Sequence, residues 1–136
     1  MNKKHLIMMS AIGVSGIVGS KSAISENVVG TIGTDVLYGT SSADTFWAAS
    51  GGDTLYGLEG ADTIYAGQHR DTIYGGPGDD KLYGQRGEDE IHGGKDNDTI
   101  WGGHANDLIY GGAGTDTVLG NGGNNTCDRA ETTTDC

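Results

Sequence analysis

GGPGDDKLY at Gly75–Tyr83 and GGAGTDTVL at Gly111–Leu119 are two copies of one nine-residue unit. The unit recurs ten times between Gly30 and Leu119 without an insertion or deletion, and its sixth position is always aspartate. These residues are Asp35, Asp44, Asp53, Asp62, Asp71, Asp80, Asp89, Asp98, Asp107 and Asp116. An unbroken period of nine gives every unit the same local conformation, and such units bury their apolar side only by stacking on one another. The expected architecture is a solenoid rather than a globule around one large core.

The frame divides into a turn and a strand. Position 1 is Gly in eight of the ten units, with Ala48 and Ala66 in the other two, and glycine recurs at positions 2 and 4. Backbone turns with positive φ require this residue, so positions 1 to 6 read as a tight turn. Position 8 is always apolar: Leu37, Phe46, Leu55, Ile64, Ile73, Leu82, Ile91, Ile100, Ile109 and Val118. With Thr and aromatic residues frequent at positions 7 and 9, the triplet alternates out, in, out as a short β-strand does. Two units complete one coil, which predicts an all-β solenoid of about five 18-residue coils with two parallel sheets and position 8 meeting between them.

Units of the same parity share an edge, which sorts the aspartates into two columns. One holds Asp35, Asp53, Asp71, Asp89 and Asp107, the other Asp44, Asp62, Asp80, Asp98 and Asp116. Neighbours in a column lie one strand spacing apart, ~4.8 Å. Repulsion there is ~1 kcal/mol per pair in water and ~3–4 kcal/mol at an effective dielectric of ~20. A cation between successive coils reverses the sign, drawing side-chain oxygens from two aspartates and the rest from turn carbonyls. All-oxygen sites of flexible geometry suit Ca²⁺ better than Mg²⁺ or Zn²⁺. Four same-column pairs on each edge set a ceiling of eight ions.

The pattern GGxGxDxUx, carried here by turns such as GTIGTD, GLEGAD, GGPGDD, GQRGED, GGKDND and GGAGTD, resembles the repeats-in-toxin (RTX, haemolysin-type) calcium-binding family. The resemblance covers Gly30 to Leu119. It implies a right-handed parallel β-roll, Ca²⁺ in the turns, the position-6 aspartates as side-chain ligands, and folding on binding calcium outside the cell. Three turns depart from the pattern: GTSSAD at Gly39–Asp44, AASGGD at Ala48–Asp53 and AGQHRD at Ala66–Asp71. Weak or absent binding is expected there. Larger relatives add an enzymatic or pore-forming domain and a C-terminal export signal. No residues here match either, so the expectation is a non-enzymatic structural or binding module.

Composition agrees with a metal-binding polyanion. The formal charge is −11, with all 19 acidic residues at or beyond Glu26 and Lys3, Lys4 and Lys21 before it. Such a chain repels nucleic acid and anionic membrane surfaces and attracts divalent cations. Residues 1–22 read as a secretory signal peptide, a basic start followed by a small and apolar run from Leu6 to Gly19 too short to span a bilayer. Export makes the two cysteines candidates for oxidation. Residues 23–29 keep phase as an N-terminal cap, with Glu26 in the carboxylate slot and Val28 in the core slot. Residues 30–119 are the repeats and 120–136 a C-terminal cap. There Asn125 takes the aspartate slot, and Cys127 and Cys136 fall in successive core slots, which predicts a disulfide.

Position 9 forms two outward rows: Tyr38, Tyr56, Tyr74, His92 and Tyr110 on one sheet, Trp47, Tyr65, Tyr83, Trp101 and Leu119 on the other. Such rows stabilise short strands, and they also offer faces for an extracellular glycan, ice or a surface protein. Lys81 interrupts the threonine row beside the second and counts against ice. His69, His92 and His104 fall at three different repeat positions. No paired-cysteine metal motif, HExxH or nucleophile elbow occurs, and no enzyme activity is expected.

Overall fold

A computed structural model describes residues 17–18, 27–128, 132–134 and 136. The described residues form strands and turns with no helix, so none is long and apolar enough to cross a membrane. One sheet holds β1 (Ile17–Val18), β3 (Val36–Tyr38), β5 (Thr54–Tyr56), β7 (Thr72–Pro77), β9 (Glu90–Lys95), β11 (Leu108–Ala113) and β13 (Thr126–Asp128). The other holds β2 (Asn27–Val29), β4 (Thr45–Trp47), β6 (Thr63–Gln68), β8 (Lys81–Arg86), β10 (Thr99–His104), β12 (Thr117–Asn121) and β14 (Thr132–Thr134). Odd strands pair with odd and even with even, all parallel, as a two-sheet solenoid of about six turns requires.

The register carries the nine-residue frame across the roll. Leu37 pairs with Leu55, Ile64 with Leu82 and Ile91 with Ile109, each with the core residue two units further on. Every position-8 side chain is buried, and Val28 extends the same core by one strand, as its slot predicts. Period-two alternation then places positions 6 and 1 on the inner face as well. The interior repeat is thus aspartate, apolar residue, glycine or alanine. All ten aspartates are at most 3% exposed.

Three features differ from the sequence reading. Strands β2 to β5 have the expected three residues, but β6 to β11 have six, because positions 1 to 3 also pair with the neighbouring coil. Gly76 pairs with Gly94 and Pro77 with Lys95. Glycine at position 2, with φ of 116° at Gly76, turns the chain while the ladder continues. At the N-terminal end, Ile17 pairs with Val36, one residue out of step with the frame. Residues 1–16 and 19–26, with most of the predicted leader and Glu26, lie outside the described residues.

At the C-terminal end the disulfide forms as predicted, linking Cys127 and Cys136 with Cα atoms 5.8 Å apart, inside the ordinary range. Its placement differs. The frame puts Cys136 in the core slot two units after Val118, but Val118 pairs with Thr133 instead, so the last coil on that sheet is shortened. Cys136 lies exposed beyond β14. The sequence Arg129–Glu131 contains no glycine from which to build the usual turn.

Candidate metal centres in the two aspartate columns

The two columns form as the frame predicts, and the main chain threads them together. The N–H of eight of the ten aspartates donates to Oδ1 of the aspartate one coil further on. Along one edge Asp35 bonds to Asp53, Asp53 to Asp71 and Asp71 to Asp89 at 2.8 Å, and Asp89 to Asp107 at 3.0 Å. Along the other the bonds join Asp44 to Asp62 and Asp62 to Asp80 at 2.7 Å, then Asp80 to Asp98 and Asp98 to Asp116 at 2.9 Å. Asp107 ends its row by donating to Oδ1 of Asn125 at 2.9 Å. The neutral amide takes the carboxylate slot, as expected for the end of a column.

The second carboxylate oxygen has a different fate. Oδ2 of Asp53, Asp62, Asp71, Asp80, Asp89, Asp98 and Asp107 is buried without a hydrogen-bond partner. Leaving an anionic oxygen dry and unpaired is costly. The space around it is held open by the position-1 residue. A Cβ added at Gly57, Gly84, Gly93 or Gly102 would stand 2.5 Å from Oδ2 of the aspartate five residues later. Glycine there keeps a cradle beside Asp62, Asp80, Asp89, Asp98 and Asp107, whereas Ala48 and Ala66 already carry a Cβ before Asp53 and Asp71.

Electrostatics follow from this burial. Burial raises the Asp71 carboxyl to about 8, Asp80, Asp89 and Asp98 to about 7, and Asp53, Asp62 and Asp107 to about 6. The incoming main-chain N–H opposes the rise at each of them. At Asp71 and Asp80 the carboxylates one coil away on both sides add to it.

Two aspartates differ from the rest. Oδ2 of Asp35 accepts from the Thr31 N–H at 2.6 Å and its Oγ1 hydroxyl at 3.0 Å. Oδ2 of Asp44 accepts from the Thr40 N–H at 2.5 Å and its hydroxyl at 2.9 Å. One of these turns is the irregular GTSSAD, the other GTIGTD, which fits the family pattern. Asp53 and Asp71, in the irregular turns AASGGD and AGQHRD, keep the same main-chain bond and the same unpartnered oxygen as the regular turns.

Among the described residues, no three His, Cys, Asp or Glu side chains gather as a metal-ligand cluster. Carboxylate oxygens of the two columns are hard donors, chemistry that fits a hard cation such as Ca²⁺. Sequence reasoning missed the depth of burial. The signal was present, since position 6 lies two residues before position 8 and therefore on the same face.

The outward rows also form. Tyr38, Tyr56, Tyr74, His92 and Tyr110 stack with ring centroids 4.8–5.0 Å apart. On the other sheet Tyr65, Tyr83 and Trp101 stack at 4.7 and 4.3 Å, with Trp47 further off at 6.3 Å. Beside this second row lies an open groove of ≈ 650 Å³ whose lining includes Tyr83, Trp101, Arg86 and His104.

The model of the RTX calcium-binding nonapeptide repeat, four copies long, matches residues 29–64, 47–82, 74–104, 83–118 and 92–127. The chain belongs to this family, a class of calcium-binding β-roll modules. No curated protein matches the chain.

Proposed function

We propose that the protein is an exported, non-enzymatic module whose coils close as Ca²⁺ enters the two aspartate columns. The observation that supports this reading is the row of buried, unpartnered Oδ2 atoms, those of Asp62, Asp80, Asp89, Asp98 and Asp107 beside a cradle kept open by a glycine. The columns Asp35, Asp53, Asp71, Asp89, Asp107 and Asp44, Asp62, Asp80, Asp98, Asp116 supply the side-chain ligands, for at most eight ions. A bound cation supplies the positive charge that these anions lack. Metal binding is then part of the folding free energy. Each nine-residue unit brings only one large apolar side chain to the core, which leaves the glycine-rich turns dependent on the ion. Export of the chain by its N-terminal segment places it where calcium is plentiful. Far-ultraviolet circular dichroism at neutral pH with and without calcium tests the reading, with most of the strand signal expected only in its presence. A metal-free chain folded to the same extent defeats it.

A second reading, binding of an extracellular glycan or surface protein, draws support from the groove beside Tyr83 and Trp101. Tyr83 and Trp101 offer an aromatic face, and Arg86 and His104 offer hydrogen-bonding groups, to a saccharide. Retention on immobilised oligosaccharide, abolished by Trp101→Ala and unaffected by Tyr74→Ala on the opposite sheet, tests this reading. Absence of retention removes it.

A further inference from the structure

The ten turns adopt two conformations. In the eight units from Ala48 onward, position 2 has positive φ, whether it is glycine, as at Gly67, Gly76, Gly94, Gly103 and Gly112, or not, as at Ala49, Leu58 and Gln85. In the first two units position 2 is Thr31 and Thr40, and neither has positive φ. A β-branched residue is strongly disfavoured there, because its second branch collides with the backbone. Threonine therefore selects a different turn. In that turn its N–H and hydroxyl both reach the aspartate four residues later, and Oδ2 is satisfied from within the chain. In the positive-φ turns from Asp53 to Asp107 the same oxygen is left without a partner.

We infer that Thr31 and Thr40 take the place of an ion in the first turn on each edge, so that this coil is complete without calcium and metal loading starts one coil later. The inference rests on calcium binding by the columns and names the residues that set where it begins. Two hydrogen bonds to Asp35 and two to Asp44 do locally what a cation does elsewhere. The gap between Asp35 and Asp53, and that between Asp44 and Asp62, then lack a second open carboxylate oxygen. Three gaps remain on each edge, for six ions rather than eight. The first coil gives the metal-dependent coils a preformed template on which to stack. Because repeat stability is a sum of unit and neighbour terms, a single prefolded unit lowers the barrier for the next.

Hydrogen exchange on the full chain in chelator tests the inference together with an ion count by native mass spectrometry in calcium. Amides of β3 and β4 are expected to be at least about tenfold more protected than those of β7 and β8 in the metal-free protein. Thr31→Gly with Thr40→Gly restores the commoner glycine at position 2. It should abolish that excess protection and raise the ion count from six to eight. Thr31→Val with Thr40→Val keeps the β-branched turn and loses only the hydroxyl bonds, so it should reduce protection without adding ions. Equal protection of β3 and β7 in the wild type, or an unchanged count in the glycine variant, overturns the inference. A wild type that binds no calcium while β3 and β4 stay protected overturns the proposed function instead, leaving the threonine contacts intact.

Discussion

The main-chain N–H of Asp71 donates to Oδ1 of Asp89, one coil further along, at 2.8 Å. A carboxylate that would repel its neighbour in the column is thereby tied to that neighbour's backbone. This bond uses only one of the two oxygens. The second oxygen decides how the fold responds to protons and metal.

Acid should stabilise the metal-free roll. The carboxyls of Asp53, Asp62, Asp71, Asp80, Asp89, Asp98 and Asp107 are raised from 3.8 to between about 6 and about 8, chiefly by burial. A folded value above the unfolded one means that the folded chain holds more protons across that interval. The contribution to stability is complete below the unfolded value and is lost as pH rises through the folded values. In chelator, circular dichroism should show more strand at about pH 5 than at about pH 8.5. Calcium must displace these protons, so its affinity should rise over the same interval. An apo signal that strengthens towards alkaline pH contradicts this account.

Asp80→Asn should uncouple the two roles of the carboxylate. The amide oxygen can still accept the N–H of Asp62, just as Asn125 accepts that of Asp107. Removing the buried anion should raise the melting temperature in chelator and shrink the rise produced by calcium. A site saturated a hundredfold above its dissociation constant contributes about 2.7 kcal/mol. Differential scanning fluorimetry of both proteins with and without calcium reads the two shifts separately.

Gly78→Ala should be costly although it adds one methyl group. Gly78 has φ of 134°, and its missing Cβ would collide with the carbonyl of Gly60 one coil away. The conformational strain alone is of order ~1–3 kcal/mol. Urea unfolding in calcium should show a lower midpoint and an unfolding free energy reduced by that amount. Gly122→Ala, whose added Cβ would meet nothing nearer than 3.5 Å, is the milder control.

Reducing the Cys127–Cys136 bond should loosen the C-terminal coils. The loop it closes has a sequence separation of nine, for which chain entropy predicts about 2.5–3 kcal/mol. Thermal unfolding in calcium with and without reductant measures the loss. It should appear first in hydrogen exchange at β13 and leave β3 unchanged.

Much of this was legible in the amino-acid pattern. The nine-residue period forced the coil, position 8 named the core from Leu37 to Val118, and parity sorted the aspartates into their columns. The aromatic rows and the cysteine pair followed from the same frame. The six-residue strands were not legible, because whether positions 1 to 3 pair depends on the coil alongside and not on their own identity. Nor was the shortened last coil, where the frame ran on past a stretch without glycine. The closed turns at Thr31 and Thr40 were written in the sequence as β-branched residues at a position where glycine is commonest. Their effect on Asp35 and Asp44 emerged only with the backbone in place.

The pairing of odd strands with odd and even with even makes a pair of units, not a single one, the piece that can be copied without harm. Duplicating a two-unit block in frame would lengthen the rod by one strand spacing of ~4.8 Å and leave every downstream side chain on its original sheet. Inserting a lone unit would preserve the repeat but exchange the two faces beyond it, carrying Arg86 and Trp101 to the other side of the molecule. Genetic drift in repeat number is thus quantised in pairs wherever the two faces have different work to do.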